Sequence, residues 1–130
     1  MILNICVITP ENIFLNQQVE EIILPTNTGQ MGILSNHAPL ITALDIGVML
    51  FRKKKKWTSL ILLGGFALIK QNKVTILVNQ VESNDQSDKN LLKNEFLIAK
   101  KNFEEATNKK QKVEANFIYK RARARYQATQ

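Results

Sequence analysis

The stretch VTILVNQVESNDQSDKNLLKNEFLIAKKNF, residues 74–103, contains a change of hydrophobic period that divides the chain. Up to Val78 the apolar residues form a short run rich in β-branched side chains, as they do in strands. From Leu92 onwards they recur every three or four residues, as they do on one face of a helix. The polar segment at residues 83–88 joins the two patterns. The sequence therefore predicts a β-domain over residues 1–84 and a helical domain over residues 85–130.

Towards the N-terminus, the chain consists of short runs of β-branched and large apolar residues, separated by Pro, Gly and Asn. Runs of this kind are typical of strands, and their spacing leaves no room for helices between parallel strands. We therefore predict a small antiparallel β-sandwich or barrel. The predicted strands are Leu3–Thr9, Val19–Leu24, Leu40–Leu44, Val48–Arg52, Trp57–Leu63, Phe66–Lys70 and Val74–Val78.

Two interruptions fall within this pattern. The four lysines 53–56 lie where two strand patterns meet, which favours a solvated hairpin tip; contact with acidic lipid or nucleic acid is the alternative. Gly64 and Gly65 interrupt the apolar run Leu60–Ile69. They predict a bulge or bend that divides this run into two strands.

Downstream, Ser87 or Asp88 is suited to cap a first helix, because either side chain can accept free amide hydrogens of the first turn. Thr107 and Asn108 interrupt the helical spacing, and a second helix is predicted from about Lys109. Two such helices form an antiparallel hairpin that must pack on itself, on the β-domain or on a partner, and this choice is what a conformational switch needs. The predicted inner positions are Leu92, Phe96, Ala99, Phe103 and Ala106, then Val113, Phe117 and Ala124, with Ala115, Ile118 and Ala122 beside them.

The net charge of +7 is unevenly distributed, because no Lys or Arg precedes Arg52. A start without basic residues predicts no signal or transit peptide. The apolar run Leu60–Ile69 is shorter than the roughly 18 residues that a membrane span needs, so a soluble or peripheral protein is expected. The single cysteine, Cys6, excludes an internal disulfide and is expected to be buried in the first strand.

The sequence has no pattern typical of a catalytic or metal site, and we predict a protein without an active site, cofactor or metal. It has one His and one Cys, and its carboxylates are scattered. The segment Gly29-Gln-Met-Gly32 lacks the third glycine of a dinucleotide fingerprint and the Gly-Lys-Ser/Thr ending of a phosphate loop. His37, before Pro39, has no neighbouring acid or nucleophile, so it is expected to anchor its loop or to contact a partner.

Four cations near the end of the second helix, Lys120, Arg121, Arg123 and Arg125, are the strongest binding signal in the chain. One or two of them would complement the helix macrodipole, but four within six residues exceed that need. Arginine binds carboxylates and phosphates through paired hydrogen bonds. The predicted target is therefore an acidic protein surface, a nucleic acid or a lipid headgroup.

Several segments, taken in order, carry a resemblance to one known family, and the most specific is Gly29-Gln-Met-Gly-Ile-Leu-Ser-Asn-His-Ala-Pro39. They resemble the ε subunit of the rotary F-type ATP synthase in its chloroplast and cyanobacterial form, and the Lys-Arg-Ala-Arg-Ala-Arg-Tyr ending is similar to green-algal plastid members. The resemblance implies an N-terminal antiparallel β-sandwich followed by a C-terminal two-helix antiparallel hairpin. The matching segments are Leu3–Pro10, Val19–Leu24, Gly29–Pro39, Asp45–Gly47, Gly64–Ala67, Val113–Asn116 and Lys120–Arg125.

The resemblance also implies partners. The sandwich is expected at the foot of the central stalk, where Gln30, Met31 and His37 would contact the γ subunit and the loops of the membrane c-ring. The hairpin is expected to reach towards γ and an acidic segment of a catalytic β subunit in the α/β head, and to suppress ATP hydrolysis. Its cations would meet that segment: Lys120, Arg121, Arg123 and Arg125. The expected location is the stromal side of the chloroplast thylakoid membrane, peripheral to it.

The chain departs from the family pattern at two places. Ser35 stands where Pro is usual before Asn-His-Ala-Pro, which implies a less rigid loop. Residues 95–101 lack the Asp and the Arg-Ala of the ATP-binding motif of some bacterial relatives, so no nucleotide ligand is predicted. The alternative function is a basic helix-hairpin module that binds nucleic acid, but the connecting turn lacks the usual Gly and the N-terminal half is acidic.

Overall fold

The computed structural model describes residues 2–83 and 88–129. These residues form eight β-strands followed by two helices, which confirms the predicted β + α class. The strands are β1 (Leu3–Ile8), β2 (Ile13–Val19), β3 (Glu21–Thr26), β4 (Gly29–Ile33), β5 (Leu40–Lys53), β6 (Lys56–Lys70), β7 (Lys73–Val78) and β8 (Val81–Ser83). The helices are α1 (Lys89–Glu105) and α2 (Lys109–Gln127).

The strands form two layers that share the long β5–β6 hairpin. In the first layer, with strand order β2-β1-β7-β6-β5, the segment 65–70 of β6 pairs with β7. In the second layer, with order β4-β3-β5-β6-β8, the segment 60–62 of β6 pairs with β8. All pairs are antiparallel except the parallel β1–β7 pair. This parallel pair is an exception to the predicted antiparallel arrangement.

The core lies between the two layers. Since side chains alternate across a strand, every second residue of each strand points into this space. Both layers contribute, and no polar side chain among the described residues is buried there. The buried residues of the core are Leu3, Ile5, Val7, Val19, Ile22, Leu24, Ile33, Leu44, Met49, Phe51, Leu60, Leu62, Ala67, Ile69, Val74, Ile76 and Val78.

The β5–β6 hairpin is longer than predicted. Gly47 does not separate two strands, and Gly64 and Gly65 bend β6 without ending it, so two predicted boundaries are wrong. Gly65 has φ +153°, and a Cβ atom there would collide with the carbonyl oxygen of Leu77. The bend therefore requires glycine at this position.

Three strands were missed because their sequences carry weak strand signals. Strand β2 contains Asn and Gln, β4 contains two glycines, and β8 has three residues. The predicted strand Val19–Leu24 corresponds to β3, but its bounds are wrong, since Val19 ends β2 and β3 runs from Glu21 to Thr26. Two other predictions are confirmed: Cys6 is buried in β1, and the lysines 53–56 form the tip of a hairpin with Lys54 and Lys55 in its turn.

The helical hairpin begins where the capping residues predict. The Asp88 side chain accepts a hydrogen bond from Asn90 N at 2.9 Å, and the Asn108 side chain accepts one from Gln111 N at 2.8 Å. Between the helices, the Phe96 ring stacks on Tyr119 and Tyr126 with centroid distances of 5.7 Å to each. Such contacts add about 0.5–1.5 kcal/mol per pair beyond the area that they bury.

The inner face of α2 differs from the predicted stripe. Val113 and Phe117 are 63% and 42% exposed, so they are not buried between the helices as expected. The rings of Tyr119 and Tyr126 take that role, because they are seven residues apart and lie on one side of the helix. Ala124, which is 1% exposed, instead faces the sandwich. Helix α2 thus packs on two surfaces at once.

Candidate functional site

The outer face of the second layer carries the helical hairpin. Helix α2 packs there, and α1 packs on α2. The apolar part of this contact is thin. Among the described residues, the small side chains that pack there are Ala124 of α2 and Ala128, the residue that follows α2. The sheet residues opposite them are Ile46, Val48, Ile61 and Leu63. Alanines let the helix approach closely but bury little apolar area, so this contact is weak for its length.

Ion pairs reinforce the contact on one side. Glu82 in β8 accepts hydrogen bonds from two arginines of α2, from Arg121 Nε to Oε2 at 2.7 Å and from Arg125 Nε to Oε1 at 2.7 Å. A further bond runs from Arg125 Nη2 to Oε2 at 3.1 Å. Both oxygens of one carboxylate are therefore engaged by two guanidinium groups, an arrangement stronger than a single surface ion pair.

The charge state of Glu82 reflects this environment. Partial burial opposes the charged carboxylate, but the hydrogen bonds and positive charges of Arg125 and Arg121 outweigh it and hold the pKa of Glu82 below its usual value. The hydrogen bond to Glu82 likewise raises the pKa of Arg125 above its usual value. The pair is thus charged throughout the neutral range.

The other two cations of α2 have different surroundings. Lys120 Nζ donates to Asp45 Oδ1 at 3.0 Å and to Oδ2 at 3.1 Å. The Arg123 guanidinium lies 5.3 Å from the centroid of the Tyr119 ring, within the range of a cation–π contact. Three of the four predicted partner-binding cations therefore contact carboxylates of their own sandwich.

Gln30 and Met31, two of the predicted partner-binding residues, lie in the edge strand β4. Gln30 is exposed, whereas Met31 packs against the core and is only partly accessible. Gln30 and Arg123 line one cleft of about 690 Å³, between the β3–β4 turn and the end of α2. The structure thus brings together two residues that were predicted to face different partners.

His37 lies in the loop at residues 34–39, far along the chain from the cations. Its Nδ1–H donates to the Ala38 carbonyl oxygen at 2.7 Å. The loop itself is fastened to the β6–β7 turn, because the Asn36 amide donates to the side chain of Asn72. The imidazole is partly buried. Its role, as a loop anchor or as a partner contact, stays a prediction.

The outer face of the first layer is apolar and uncovered. Four residues on neighbouring strands form it: Ile41 of β5 is 71% exposed, Phe66 and Leu68 of β6 are 58% and 44% exposed, and Leu77 of β7 is 50% exposed. The pairings Ile41↔Leu68 and Phe66↔Leu77 make them direct neighbours. We call these four residues the apolar face. Apolar clusters of this kind mark interaction sites.

This face was missed at the sequence level, although a signal was present. The run Leu60–Ile69 is apolar in both alternating phases, whereas a strand with one solvated face alternates between apolar and polar residues. Glu82 and Asp45 were missed for another reason. Their partners lie 39 to 75 residues away in the chain, so local patterns do not reveal them.

Within residues 2–83 and 88–129, no group of three or more His, Cys, Asp or Glu side chains is arranged to hold a metal ion. Over the same ranges, neither helix is long and apolar enough to cross a membrane.

A β-sandwich followed by a helical hairpin is the fold of a known class of ATP synthase subunits. A family model for the beta-sandwich domain of ATP synthase delta and epsilon chains matches residues 2–84. Over 127 residues, the chain is 64% identical to the chloroplastic ATP synthase epsilon chain of Oltmannsiellopsis viridis, covering 98% of this chain and 97% of that protein. It is 53% identical to that of Chlamydomonas reinhardtii, with coverage of 98% and 94%. The chain therefore belongs to the family of ATP synthase epsilon chains, in its chloroplast branch.

Solved structures share the fold at low sequence identity. A chain in the Euglena gracilis mitochondrial ATP synthase, in a structure of OSCP, F1 and c-ring, matches with a TM-score of 0.85 and 17% identity over 99% of this chain and 82% of that one. A chain in the central stalk and c-ring of the Tetrahymena thermophila mitochondrial ATP synthase matches with a TM-score of 0.67 and 18% identity, covering 98% and 96%. The arrangement of sandwich and hairpin is thus a recurring one.

Proposed function

We propose that this chain is a non-catalytic rotor subunit in the central stalk of a chloroplast F-type ATP synthase. It couples rotation of the c-ring to the catalytic head and restrains ATP hydrolysis. One observation carries this proposal: the two outer faces of the sandwich are built for different contacts. The face of the first layer is apolar and open, and that of the second layer holds a hairpin through small side chains and ion pairs.

The apolar face is the proposed dock for the γ subunit. Ile41 and Phe66 are among its most exposed residues, and burying such side chains contributes about 1.5–3 kcal/mol each. The His37 loop leads directly into β5, the strand that carries Ile41, which supports a role for His37 at the edge of this dock. Gln30, next to the β3–β4 turn, is the proposed contact for the c-ring loops, with Met31 supporting it from the core side.

The hairpin is the proposed brake. In an extended arrangement, Lys120, Arg121, Arg123 and Arg125 would bind an acidic segment of a catalytic β subunit in the α/β head. Support comes from the present packing, in which three of these cations already bind carboxylates. The thin apolar contact of Ala124 and Ala128 makes this packing reversible, because two arrangements must differ by only a few kcal/mol to exchange.

The boundary between the two parts is proposed at residues 84 and 85. The family model ends at residue 84, and Glu82 belongs to the last strand of the sandwich. We propose that any hinge lies in the polar segment at residues 83–88, of which residues 84–87 lie outside the described residues. The proposed location is the stromal side of the thylakoid membrane, where the chain would be peripheral through its complex; the chloroplastic names of its relatives support the organelle.

The rival function, a nucleic-acid-binding module, is disfavoured by the surroundings of the α2 cations. Phosphate binding needs accessible cations, yet Lys120, Arg121 and Arg125 are directed at Asp45 and Glu82. The α1–α2 hairpin also rests on the sandwich through α2, the helix that would have to read a groove.

A chain that ends at Ser83 tests the proposed function. Its core remains intact, because every residue of the central cluster precedes that position. The shortened chain should still support assembly of the enzyme and ATP synthesis, but should no longer suppress ATP hydrolysis. The assay compares hydrolysis rates of complexes reconstituted with the short chain and the full chain. If both suppress hydrolysis equally, the hairpin is not a brake.

A further inference from the structure

The contact between α2 and the sandwich uses the same cations that the proposed function assigns to an acidic partner. Arg121 and Arg125 both bind Glu82, whose side chain is only 20% exposed. On the neighbouring part of the sandwich, Asp45 binds Lys120, and these side chains are 24% and 28% exposed. A carboxylate from another protein cannot make the same paired hydrogen bonds with these guanidinium groups while Glu82 holds them.

We infer that Glu82 and Asp45 compete with the acidic segment of the partner for the cations of α2, and so regulate the brake. This inference rests on the proposed function. Each sandwich carboxylate occupies the cations in the docked hairpin, and only the undocked fraction can bind the partner. The apparent affinity for the partner is then reduced in proportion to that fraction, as for any protein whose competent state is partly populated.

Three features make Glu82 the main competitor. It engages two cations, whereas Asp45 engages one. It belongs to β8, the strand next to the connection between sandwich and hairpin, so its contacts hold the hairpin close to its point of attachment. The apolar contact beside it involves the small side chains of Ala124 and Ala128. Loss of the ion pairs therefore removes a large share of the interactions that keep the hairpin docked.

The competition predicts that replacing the carboxylate and replacing the arginines of this ion-pair cluster have opposite effects on the inhibition of ATP hydrolysis. Glu82→Gln removes the competitor and leaves the arginines free, so inhibition of hydrolysis should become stronger. The double substitution Arg121→Gln with Arg125→Gln undocks the hairpin equally well but removes the groups that bind the partner, so inhibition should become weaker. If Glu82 had a purely structural role, the two variants would not change the inhibition of hydrolysis in opposite directions.

Docking is measured first, on the full-length chain. Two fluorophores are attached through cysteines that replace Lys70 on the sandwich and Lys112 on α2, in a Cys6→Ser background, and energy transfer reports their separation. Glu82→Gln should raise the ratio of undocked to docked chains about tenfold, and Asp45→Asn about threefold. Glu104→Gln, which removes the same charge from an exposed position of α1, is the matched control and should change the ratio less than about twofold.

Inhibition is then measured on complexes assembled with each variant. Glu82→Gln should lower the hydrolysis rate, Asp45→Asn should lower it less, and the double arginine variant should raise it. The competition is overturned if Glu82→Gln and Asp45→Asn leave docking unchanged, or if Glu82→Gln and the arginine variant shift hydrolysis in the same direction. If the carboxylate variants open the hairpin but no variant changes hydrolysis, the brake itself is refuted while the docking contacts stand.

Discussion

The two outer faces of the sandwich differ in how they attract a neighbour. The apolar face of the first layer offers Ile41, Phe66, Leu68 and Leu77, whose burial is favourable against any complementary apolar surface. The second layer holds α2 with two alanines and several ion pairs. Partly exposed ion pairs are individually weak and easily exchanged for others. The comparison suggests a lasting dock on one side of the molecule and an exchangeable contact on the other.

The largest effect is expected on the apolar face. Phe66→Asp places a charge at the centre of this face, and a charge desolvated without a partner should weaken binding to the rest of the enzyme by about 3 kcal/mol or more, roughly 100-fold. The fold should survive, because Phe66 is 58% exposed. The measurement is a titration of complexes lacking this subunit with the variant. Ile98→Asp on α1, at 61% exposure, is the control, and equal affinities of the two variants would argue against this face as the dock.

A smaller effect is expected beneath α2. Ala124 is 1% exposed against the second layer, so Ala124→Leu adds carbon atoms where there is no room and should weaken docking of the hairpin by about 1–3 kcal/mol. Energy transfer between sandwich and hairpin measures this shift. Val113→Leu, at a 63% exposed position of the same helix, should leave it unchanged. A docked hairpin in the Ala124 variant would mean that the contact is more adaptable than its geometry indicates.

The smallest effect on docking of the hairpin is expected from a change of pH, because it acts on the ion pairs of Glu82 alone. The groups around Glu82 are Arg121 and Arg125 from α2, Glu95 of α1 acting on Arg125, and Glu11 across a neighbouring cleft. Because the pKa of Glu82 is lowered in the docked state, its contribution is fully present above the usual glutamate pKa of about 4.3 and is lost as pH falls through the lowered value.

Docking of the isolated chain should therefore be constant from about pH 6 to 8 and weaken in acid below about pH 4. Energy transfer across this range measures it, and Glu82→Gln should remove the part of the change that is due to this carboxylate. An equally strong loss of docking between pH 6 and 8 would assign the transition to another group.

The helical half was predicted more accurately than the sheet, for a physical reason. A helix is specified by neighbours three and four residues apart. The spacing from Leu92, the cap at Asp88 and the interruption at Thr107 and Asn108 therefore located both helices. Strands depend on partners far along the chain. Strand β4 is held in place by its pairing with β3, although Gly29 and Gly32 weaken its own strand propensity.

The candidate site shows the same division. The chain itself reveals Lys120, Arg121, Arg123 and Arg125 as a cluster, because they lie within one helical segment. Their partners could not be predicted, since Glu82 and Asp45 reach them only after the hairpin folds back on the second layer. Likewise, the spacing of the strands does not show which outer face of the sandwich α2 covers. It therefore could not predict which apolar residues remain exposed to solvent.

The most direct measurement is the distance between labels at positions 70 and 112 within the assembled ATP synthase. If the hairpin exchanges between the sandwich and an acidic partner, two distances should be seen, and the longer one should gain population when ATP hydrolysis is suppressed. The labelled chain should stay bound to the enzyme in both states, because the apolar face remains occupied. A single short distance that persists while hydrolysis is suppressed would contradict the division into a lasting dock and a mobile brake.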